Sequence, residues 1–234
     1  MEQVNRTKIE WVRNPDGSQG YTWNPVVGCR RGCSYCYARR FAERGLGEYG
    51  LYVKGHRFLP RFFPERLLQP TERLKPARIF VCSMGELFGP WVPAEWQERV
   101  LSAARQTPWH TFMFLTKYPE NLAQFNPWPP NAWVGATATD DDMAWRALEA
   151  LADVNASVRY LSVEPLLGRI ADQTIPFWLD WLIIGAQTGP GAQSPNAEWV
   201  EELIERAYFT YTALFLKGNL DWPERIQEWP KGER

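Results

Sequence analysis

The strongest constraint on the fold is a regular alternation of short apolar runs with helix-like stretches along the chain. Strands that alternate with helices form βαβ units and a mostly parallel sheet. Continuous apolar runs, rather than strict alternation of apolar and polar residues, indicate strands covered on both faces. The sequence therefore predicts an α/β fold of about seven strands, either a partial or full β/α barrel or a doubly wound sheet. The strand candidates are 23–28, 78–82, 111–116, 132–137, 158–163, 181–185 and 213–217.

Helical segments are predicted between these strands. The candidates are a segment around 37–44, then 93–106, a short one at 119–125, 141–154 and 196–208. Thr139 or Asp140 can cap the fourth of these and Asn196 the last, because their side chains accept hydrogen bonds from free backbone amides. The stretch 45–76 is rich in Pro and Gly and breaks the alternation. We predict it to be an irregular excursion within a single domain that spans residues 1–234.

The bulk composition limits the classes of protein to consider. Hydrophobic residues make up 45% of the 234 residues, which is enough for a full core. No apolar run reaches the ~18 residues that a membrane-spanning helix needs, and the N-terminal residues lack the layout of a secretory signal. We therefore expect a cytoplasmic protein with no membrane partner.

Positive charge is concentrated in one part of the chain. The segment 30–78 holds 12 Lys and Arg against 4 Asp and Glu, a local excess of +8, although the net charge of the chain is −1. Such a segment could attract an anionic substrate or cofactor. Alternatively, these side chains only solvate the surface, and the sequence leaves both interpretations open.

Three of the four cysteines lie within eight residues, in the order Cys29, Cys33 and Cys36. A reducing compartment and such short loops argue against disulfides, and clustered cysteines in such chains usually bind metal. A [4Fe-4S] cube needs four ligands, so three cysteines leave one iron open for catalysis. The alternative is a structural zinc with a fourth ligand such as Cys82, although zinc fingers favour paired C-x2-C hooks.

The spacing C-x3-C-x2-C after a first strand resembles the radical S-adenosylmethionine (radical SAM) superfamily, in which an aromatic residue commonly precedes the third cysteine, as Tyr35 does here. Further segments together resemble a phage-associated and bacterial subfamily over roughly residues 7–220. These segments are TKIEW, TWNPVVGC, CYA, IFVCSMGELF, FLTKYPE, LSVEPLLG and IIGAQTGPGA.

The resemblance implies a partial (β/α) barrel of about six to seven parallel strands, with a [4Fe-4S] cluster on Cys29, Cys33 and Cys36. It implies that the open iron is chelated by S-adenosylmethionine. Electron transfer from a reductant such as flavodoxin or ferredoxin would then release a 5′-deoxyadenosyl radical, which abstracts hydrogen from a substrate. The sequence Met84-Gly85-Glu86 resembles the Gly-Gly-Glu-like element that binds the amino group of the cofactor, but departs from it at the first glycine.

Polar residues at the carboxyl ends of the predicted strands are further candidates, because ligands of parallel α/β folds bind there. These strand-end residues are Cys82, Ser83, Glu86, Thr116, Lys117, Thr137, Glu164, Gln187, Thr188 and Lys217. The predicted cofactor-binding set is Tyr35, Ser83, Gly85, Glu86, Thr116, Lys117, Thr137 and Glu164. Cys82 is the candidate catalytic residue, as a donor of hydrogen to a product radical; it could also be a buried apolar residue or the zinc ligand above.

Three functions are consistent with these residues. The first is a radical SAM enzyme acting on a nucleic acid or nucleotide, which the basic segment and the aromatic content favour. The second is a radical SAM enzyme acting on a small metabolite or a peptide. The third is a non-catalytic binding protein stabilised by an iron–sulfur cluster or zinc.

Overall fold

The computed structural model describes residues 4–43, 58–171 and 174–231. Contacts between Cα atoms divide the chain into two compact units. Unit 1 comprises residues 1–116 and 129–131, and unit 2 comprises residues 117–128 and 132–234. The prediction of a single domain stays a prediction.

Unit 1 is built on a short parallel sheet with one antiparallel edge strand. Its elements are β1 (Asn5–Arg6), β2 (Tyr21–Trp23), β3 (Val26–Val27), α1 (Tyr37–Glu43), β4 (Arg61–Phe62), β5 (Arg78–Val81), α2 (Ala94–Arg105) and β6 (Thr111–Thr116). The strand order is β1-β2-β5-β6; β2, β5 and β6 are parallel and β1 is antiparallel to β2. Strands β3 and β4 form a separate antiparallel pair.

The first strand differs from the sequence prediction. A single strand was expected over 23–28, but the sheet contains Tyr21–Trp23, and Val26–Val27 pairs with β4 instead. Pro25 stands between the two pieces and has no backbone amide to donate to a sheet. The chain therefore leaves the sheet before it reaches the cysteines.

Unit 2 contains four parallel strands. Its elements are β7 (Ala132–Ala138), α3 (Asp141–Ala152), β8 (Val158–Val163), β9 (Trp181–Ile184), α4 (Ala197–Phe209) and β10 (Ala213–Leu216). The strand order is β7-β8-β9-β10, and each strand is parallel to its neighbours in this order. Every residue of β7 and β9 is buried, as predicted for strands with both faces covered. The segment predicted as a short helix forms two 3₁₀ turns, Pro119–Asn121 and Ala123–Phe125.

The helices begin where the cap residues predict. The carboxylate of Asp140 accepts the Met143 backbone amide at 2.9 Å, and the Asn196 side chain accepts the Glu198 amide at 3.0 Å. Both side chains therefore satisfy amides that the first helical turn leaves without a partner. Helix α3 buries Ala144, Ala147, Leu148 and Leu151, which recur at the spacing of one helix face.

Aromatic rings fill one face of the unit 2 sheet. Trp181 is fully buried, and its ring contacts Trp133, Tyr160 and Phe215 with centroids 5.6–6.2 Å apart. The Trp181 indole nitrogen donates to the Glu228 carbonyl at 2.9 Å, so its polar atom is satisfied. Many of the tryptophans in the chain therefore have a packing role.

The predicted α/β class with about seven parallel strands is confirmed: β2, β5 and β6 in unit 1 and β7–β10 in unit 2 are parallel. Of the predicted excursion 45–76, residues up to 57 lie outside the described residues. Its remainder contains β4 and the 3₁₀ turn Pro64–Leu68. Among the described residues, no helix is both long and apolar enough to cross a bilayer.

We predict that Gly135→Ala destabilises the protein by about 1–3 kcal/mol, because a methyl group there would lie 2.5 Å from the Tyr160 ring. The free energy of unfolding from chemical denaturation measures the effect. Shortening the neighbour, as Tyr160→Leu, provides the control: in the double variant the cost of Gly135→Ala should shrink. Additive losses in the double variant would contradict the prediction.

Candidate functional site

The cysteine loop is attached by its backbone to the segment that follows β5. The Gly28 amide donates to the Met84 carbonyl at 2.9 Å, and the Glu86 amide donates to the Gly28 carbonyl at 3.1 Å. Gly28 and Gly85 thus form an isolated parallel bridge. A Cβ on Gly85 would lie 2.9 Å from the Val27 Cα, so glycine is needed for this close approach.

The loop also needs glycine at two positions of its own. Gly28 has φ +86° and a Cβ there would collide with the Leu59 carbonyl, while Gly32 has φ +78° with open space around it. The Cys29 amide donates to the Phe58 carbonyl at 2.9 Å, which holds the start of the loop. Gly28 is therefore required for both its conformation and its contacts, and Gly32 for its conformation alone.

All three loop cysteines are free thiols and partly exposed. The Arg31 amide donates to the Cys29 sulfur and the Arg39 amide to the Cys36 sulfur, each at 3.3 Å. Such N–H···S bonds favour the thiolate that binds metal. Burial acts in the opposite direction and raises the pKa of Cys29 to about 11. Metal binding would therefore release a proton from this thiol.

Tyr35, the aromatic residue before the third cysteine, lies against the loop. It is half-buried, and burial, followed by the negative charge and hydrogen bond of Cys33, raises its pKa well above the usual range. The ring therefore stays a neutral phenol. Cys29 and Cys36 pack against a small cluster of Ala38, Ala42 and Phe58.

Cys82 ends β5 in a left-handed conformation with φ 55°, which is unusual for a residue with a side chain. Its side chain is 5% exposed, and the Val26 amide donates to its sulfur. Burial, the largest influence, raises its pKa to about 12. Cys82 is therefore a neutral thiol held between β5 and the start of the cysteine loop.

The residues after Cys82 are held by Asn24, a residue that the sequence analysis missed. Its side-chain oxygen accepts the Ser83 hydroxyl at 3.2 Å and the Met84 amide at 2.9 Å. The Tyr37 hydroxyl donates to the Ser83 carbonyl from the first turn of α1. An Asn before a proline such as Pro25 is typical of a turn. Only the fold shows which groups the side-chain amide of Asn24 binds.

The structure brings two predicted cofactor-binding residues of unit 1 into direct contact. The Thr116 hydroxyl at the end of β6 donates to the Glu86 carboxylate at 2.6 Å, and the Phe88 amide donates to the same oxygen at 3.1 Å. Glu86 is only 6% exposed. A buried carboxylate held in this way is oriented and suited to bind a cationic group.

Unit 2 has its own polar group at the strand ends. The Lys217 ammonium, after β10, donates to the Glu164 carboxylate after β8, and both side chains are largely buried. Gly185, between them after β9, has no side chain; a Cβ there would lie 2.9 Å from the Lys217 chain and 3.0 Å from Glu164. From the sequence, Lys217 is predicted only as a polar strand-end residue. Its pairing with Glu164 depends on the strand order.

The other predicted residues lie at the expected strand ends. Thr137 is buried near the end of β7 in register with Ser162 of β8. The Ser162 hydroxyl is buried with no hydrogen-bond partner in the described part of the chain. Lys117 follows β6 directly and is half-buried. The placements agree with the strand-end argument, and their roles stay predictions.

The chemistry of the donor set fits an iron–sulfur cluster. The described residues contain no group of three His, Cys, Asp or Glu side chains that could hold a single metal ion. In a [4Fe-4S] cube each cysteine binds a different iron, so the three sulfurs need not converge on one point. Three partly exposed thiols on one glycine-containing loop, two of them accepting backbone amides, match that requirement.

A family model described as "Protein of unknown function (DUF5131)" matches residues 6–231. Among curated proteins no match is found. Solved structures of spore photoproduct lyase share the fold. The structure complexed with dinucleoside spore photoproduct is 11% identical, with a TM-score of 0.53 over 92% of this chain and 78% of that chain.

Two further structures of the same lyase agree. A cysteine-to-serine mutant is 11% identical, with a TM-score of 0.55 over 92% of this chain and 79% of that chain. A double mutant with bound AdoMet and dinucleoside spore photoproduct is 12% identical, with a TM-score of 0.51 over 87% of this chain and 63% of that chain. At such low identity the likeness shows the fold alone, which is the predicted α/β class.

We predict that Gly28→Ala greatly reduces the iron bound after anaerobic reconstitution, whereas Gly32→Ala costs only the strain of its backbone, about 1–2 kcal/mol of stability. Both glycines have a positive φ, but only Gly28 faces a backbone carbonyl at close range. Iron and sulfide content and thermal unfolding measure the two effects. Equal iron content in both variants would show that the close approach of Gly28 does not matter.

Proposed function

This chain belongs to the family described as "Protein of unknown function (DUF5131)", and we propose that it is a radical SAM enzyme. The observation that supports this most directly is the cysteine loop, which is joined by backbone hydrogen bonds to the end of a parallel strand. One neighbour with the same fold has AdoMet bound, which agrees with such a site. Low identity leaves the activity as a proposal.

In this proposal Cys29, Cys33 and Cys36 hold a [4Fe-4S] cluster. When bound and reduced, the cluster supplies the electron that cleaves S-adenosylmethionine to methionine and a 5′-deoxyadenosyl radical. The protein supplies binding, orientation and exclusion of water. Arg30 and Arg31 are exposed beside the thiols. Their charge would stabilise a reduced anionic cluster and attract an acidic electron donor such as flavodoxin or ferredoxin.

The S-adenosylmethionine amino group is assigned to Glu86. Its carboxylate is buried and oriented by Thr116 and the Phe88 amide, so it would bind an ammonium group without first losing much water. Gly85 would allow the cofactor to approach the backbone. Ser83 and Tyr35 are the other residues of unit 1 that we propose for cofactor binding. Thr116 would then act mainly by positioning Glu86.

The residues of unit 2 that we propose for cofactor binding, on their strand-end positions alone, are Lys117, Thr137 and Glu164. The Glu164 carboxylate, held by Lys217, is suited to accept hydrogen bonds from ribose hydroxyls. The Lys117 ammonium is suited to bind a carboxylate or a phosphate, and the Thr137 hydroxyl is suited to form a single polar contact with the ligand.

A nucleic acid or nucleotide is the substrate class that we propose. Unit 1 carries 17 Lys and Arg against 10 Asp and Glu, a net charge of +7, while unit 2 carries a net charge of −8. On β4, which pairs with β3 ahead of the cysteine loop, Phe62 stacks on Trp96 with centroids 5.3 Å apart. Arg99 lies over the Phe62 ring at 4.8 Å and also pairs with Glu95 at 3.6 Å. Cations and aromatic rings on one surface suit phosphates and bases. Three of the neighbouring structures contain dinucleoside spore photoproduct.

Cys82 is proposed as the donor of a hydrogen atom to the product radical. Its thiol carries hydrogen at neutral pH, as an ordinary thiol does, and burial raises its pKa to about 12, which extends the protonated form to alkaline pH. The same burial is what a purely structural cysteine would show. A functional test is therefore needed to separate the two roles.

The first prediction of the proposal concerns cofactor cleavage. After anaerobic reconstitution with iron and sulfide, reduction with dithionite and addition of S-adenosylmethionine, the wild type should form 5′-deoxyadenosine, detected by mass spectrometry. Cys33→Ala should form none, because the cluster would lose one of its three protein ligands. A single cluster predicts about four irons per chain.

The outcomes separate the hypotheses. If the yield of 5′-deoxyadenosine rises when single-stranded DNA is added, the result would support a nucleic-acid substrate. A rise only with peptides or metabolites would move the substrate to the second class. Co-purified zinc, no cluster and no nucleoside with any addition would contradict the enzyme proposal and favour a structural metal.

A second prediction addresses Cys82. With an active substrate in D₂O, the exchanged thiol of the wild type should deliver deuterium to the product. Cys82→Ser should lower the product yield and the deuterium content, because an O–H bond is a much poorer hydrogen-atom donor. Unchanged yield and labelling, at unchanged thermal stability, would leave Cys82 as a packing residue.

A further inference from the structure

Unit 1 contains a charged cavity that the proposed active site does not use. It has a volume of about 310 Å³ and is lined by Arg6, Arg73 and Lys75, together with Asp16, Ser18, Gln19 and Tyr21. Tyr21 begins β2, whereas the cysteine loop comes after the other end of that strand. The cavity is therefore at the opposite end of β2 from the cysteines.

Two arginines flank one tyrosine in this cavity. Arg6 and Tyr21 are register partners on the antiparallel strands β1 and β2, so their side chains share a face. The Arg73 guanidinium lies over the Tyr21 ring at 4.2 Å. The fold thus places two arginines from distant parts of the sequence in the lining of one cavity, together with the buried Tyr21.

No described residue neutralises either arginine through an ion pair. Within residues 4–43, 58–171 and 174–231, no carboxylate forms an ion pair with Arg6 or Arg73. The Arg73 Nε is buried and has no hydrogen-bond partner there. Unpaired cations held close together repel each other, and an unsatisfied buried donor adds to the cost.

Arg73 is also held firmly in place. The Trp109 indole donates to its carbonyl at 2.9 Å, and its own amide donates to the Pro70 carbonyl at 3.2 Å. These bonds hold the Arg73 backbone, and its guanidinium packs against the Tyr21 ring. A preorganised guanidinium loses less entropy when it binds an anion.

Among the described residues that line the cavity, Asp16 is the one that carries a carboxylate, and it is already engaged. Asp16 accepts the Ser18 amide at 3.0 Å and the Ser18 hydroxyl at 2.5 Å, and it pairs with Lys75 at 3.3 Å. These hydrogen bonds, ahead of the charge of Lys75, lower the pKa of Asp16 to about 2, so it remains ionised. Asp16 thus balances one of three cations, and a net charge of about +2 remains.

We propose that this cavity is a binding site for a phosphate group, with Arg6 and Arg73 as its principal ligands and Lys75 as a third. Guanidinium groups match the oxygen geometry of phosphate through paired hydrogen bonds. The phosphate belongs either to a polynucleotide backbone or to a free phosphate or nucleotide. The site does not depend on the cluster, and it stands or falls separately from the proposed enzyme activity.

Arg6→Gln is the most selective test, because Arg6 is exposed on a two-residue edge strand. Arg225→Gln removes the same charge from unit 2 and is the matched control; its guanidinium contacts only Gln227 among the contacts of the described residues. Thermal unfolding of the full chain is followed with inorganic phosphate or chloride at constant ionic strength. Binding of a labelled single-stranded oligonucleotide is followed by fluorescence anisotropy at several salt concentrations.

Phosphate at about ten times its dissociation constant should raise the Tm of the wild type and of Arg225→Gln by about 3–6 °C more than it raises that of Arg6→Gln. General salting-out by phosphate acts on all three proteins equally and cancels in this comparison. Without phosphate, Arg6→Gln should unfold at the same or a higher temperature than the wild type, because a repulsion is removed.

The oligonucleotide identifies the source of the phosphate. If the ligand is a backbone phosphate, Arg6→Gln should reduce the magnitude of the slope of log K, the oligonucleotide binding constant, against log salt concentration by about 1. In Arg225→Gln the slope should be the same as in the wild type. A phosphate-dependent Tm difference with unchanged oligonucleotide binding would support the site with a free phosphate or nucleotide as ligand. If Arg6→Gln matches Arg225→Gln in both assays, the proposal is wrong.

Discussion

The close backbone pairing of Gly28 with Gly85 is the constraint on which the candidate site in unit 1 depends. It leaves no space for a side chain at either glycine, because Leu59 faces the first and Val27 the second. Through it, the loop with Cys29, Cys33 and Cys36 is held in register with the segment that carries Ser83 and Glu86. Any displacement of one segment would move the other.

Polar groups secure the ends of the strands around this pairing. Asn24 binds Ser83 and Met84, and Thr116 orients Glu86, so each polar group meets a partner close to the backbone bridge. Unit 2 repeats the principle with Glu164 and Lys217 on either side of Gly185. In both units a glycine with no room for a side chain lies beside an oriented carboxylate, which suits the binding of a polar cofactor.

The two units carry opposite net charges, positive in unit 1 and negative in unit 2. Some of the Arg and Lys side chains of unit 1 lie at two places, the cation–aromatic surface around Phe62 and the cavity around Tyr21. Both would attract anions, but the first lies beside β3, which leads into the cysteine loop, and the second lies at the other end of β2. A long polyanion could use both, whereas a small phosphate ligand would use the cavity alone.

The sequence by itself determined the α/β class, the strands Thr111–Thr116 and Val158–Val163 and the caps Asp140 and Asn196, because apolar runs and capping hydrogen bonds are local. It also determined the cysteine motif, whose spacing is short. Only the tertiary structure decided that Glu86 meets Thr116, that Glu164 meets Lys217 and that Arg6 and Arg73 flank Tyr21. These partners lie far apart in the chain, and strand order and register bring them together. The early end of β2 likewise reflects a competition that local pattern does not resolve, since Val26–Val27 found its partner in β4.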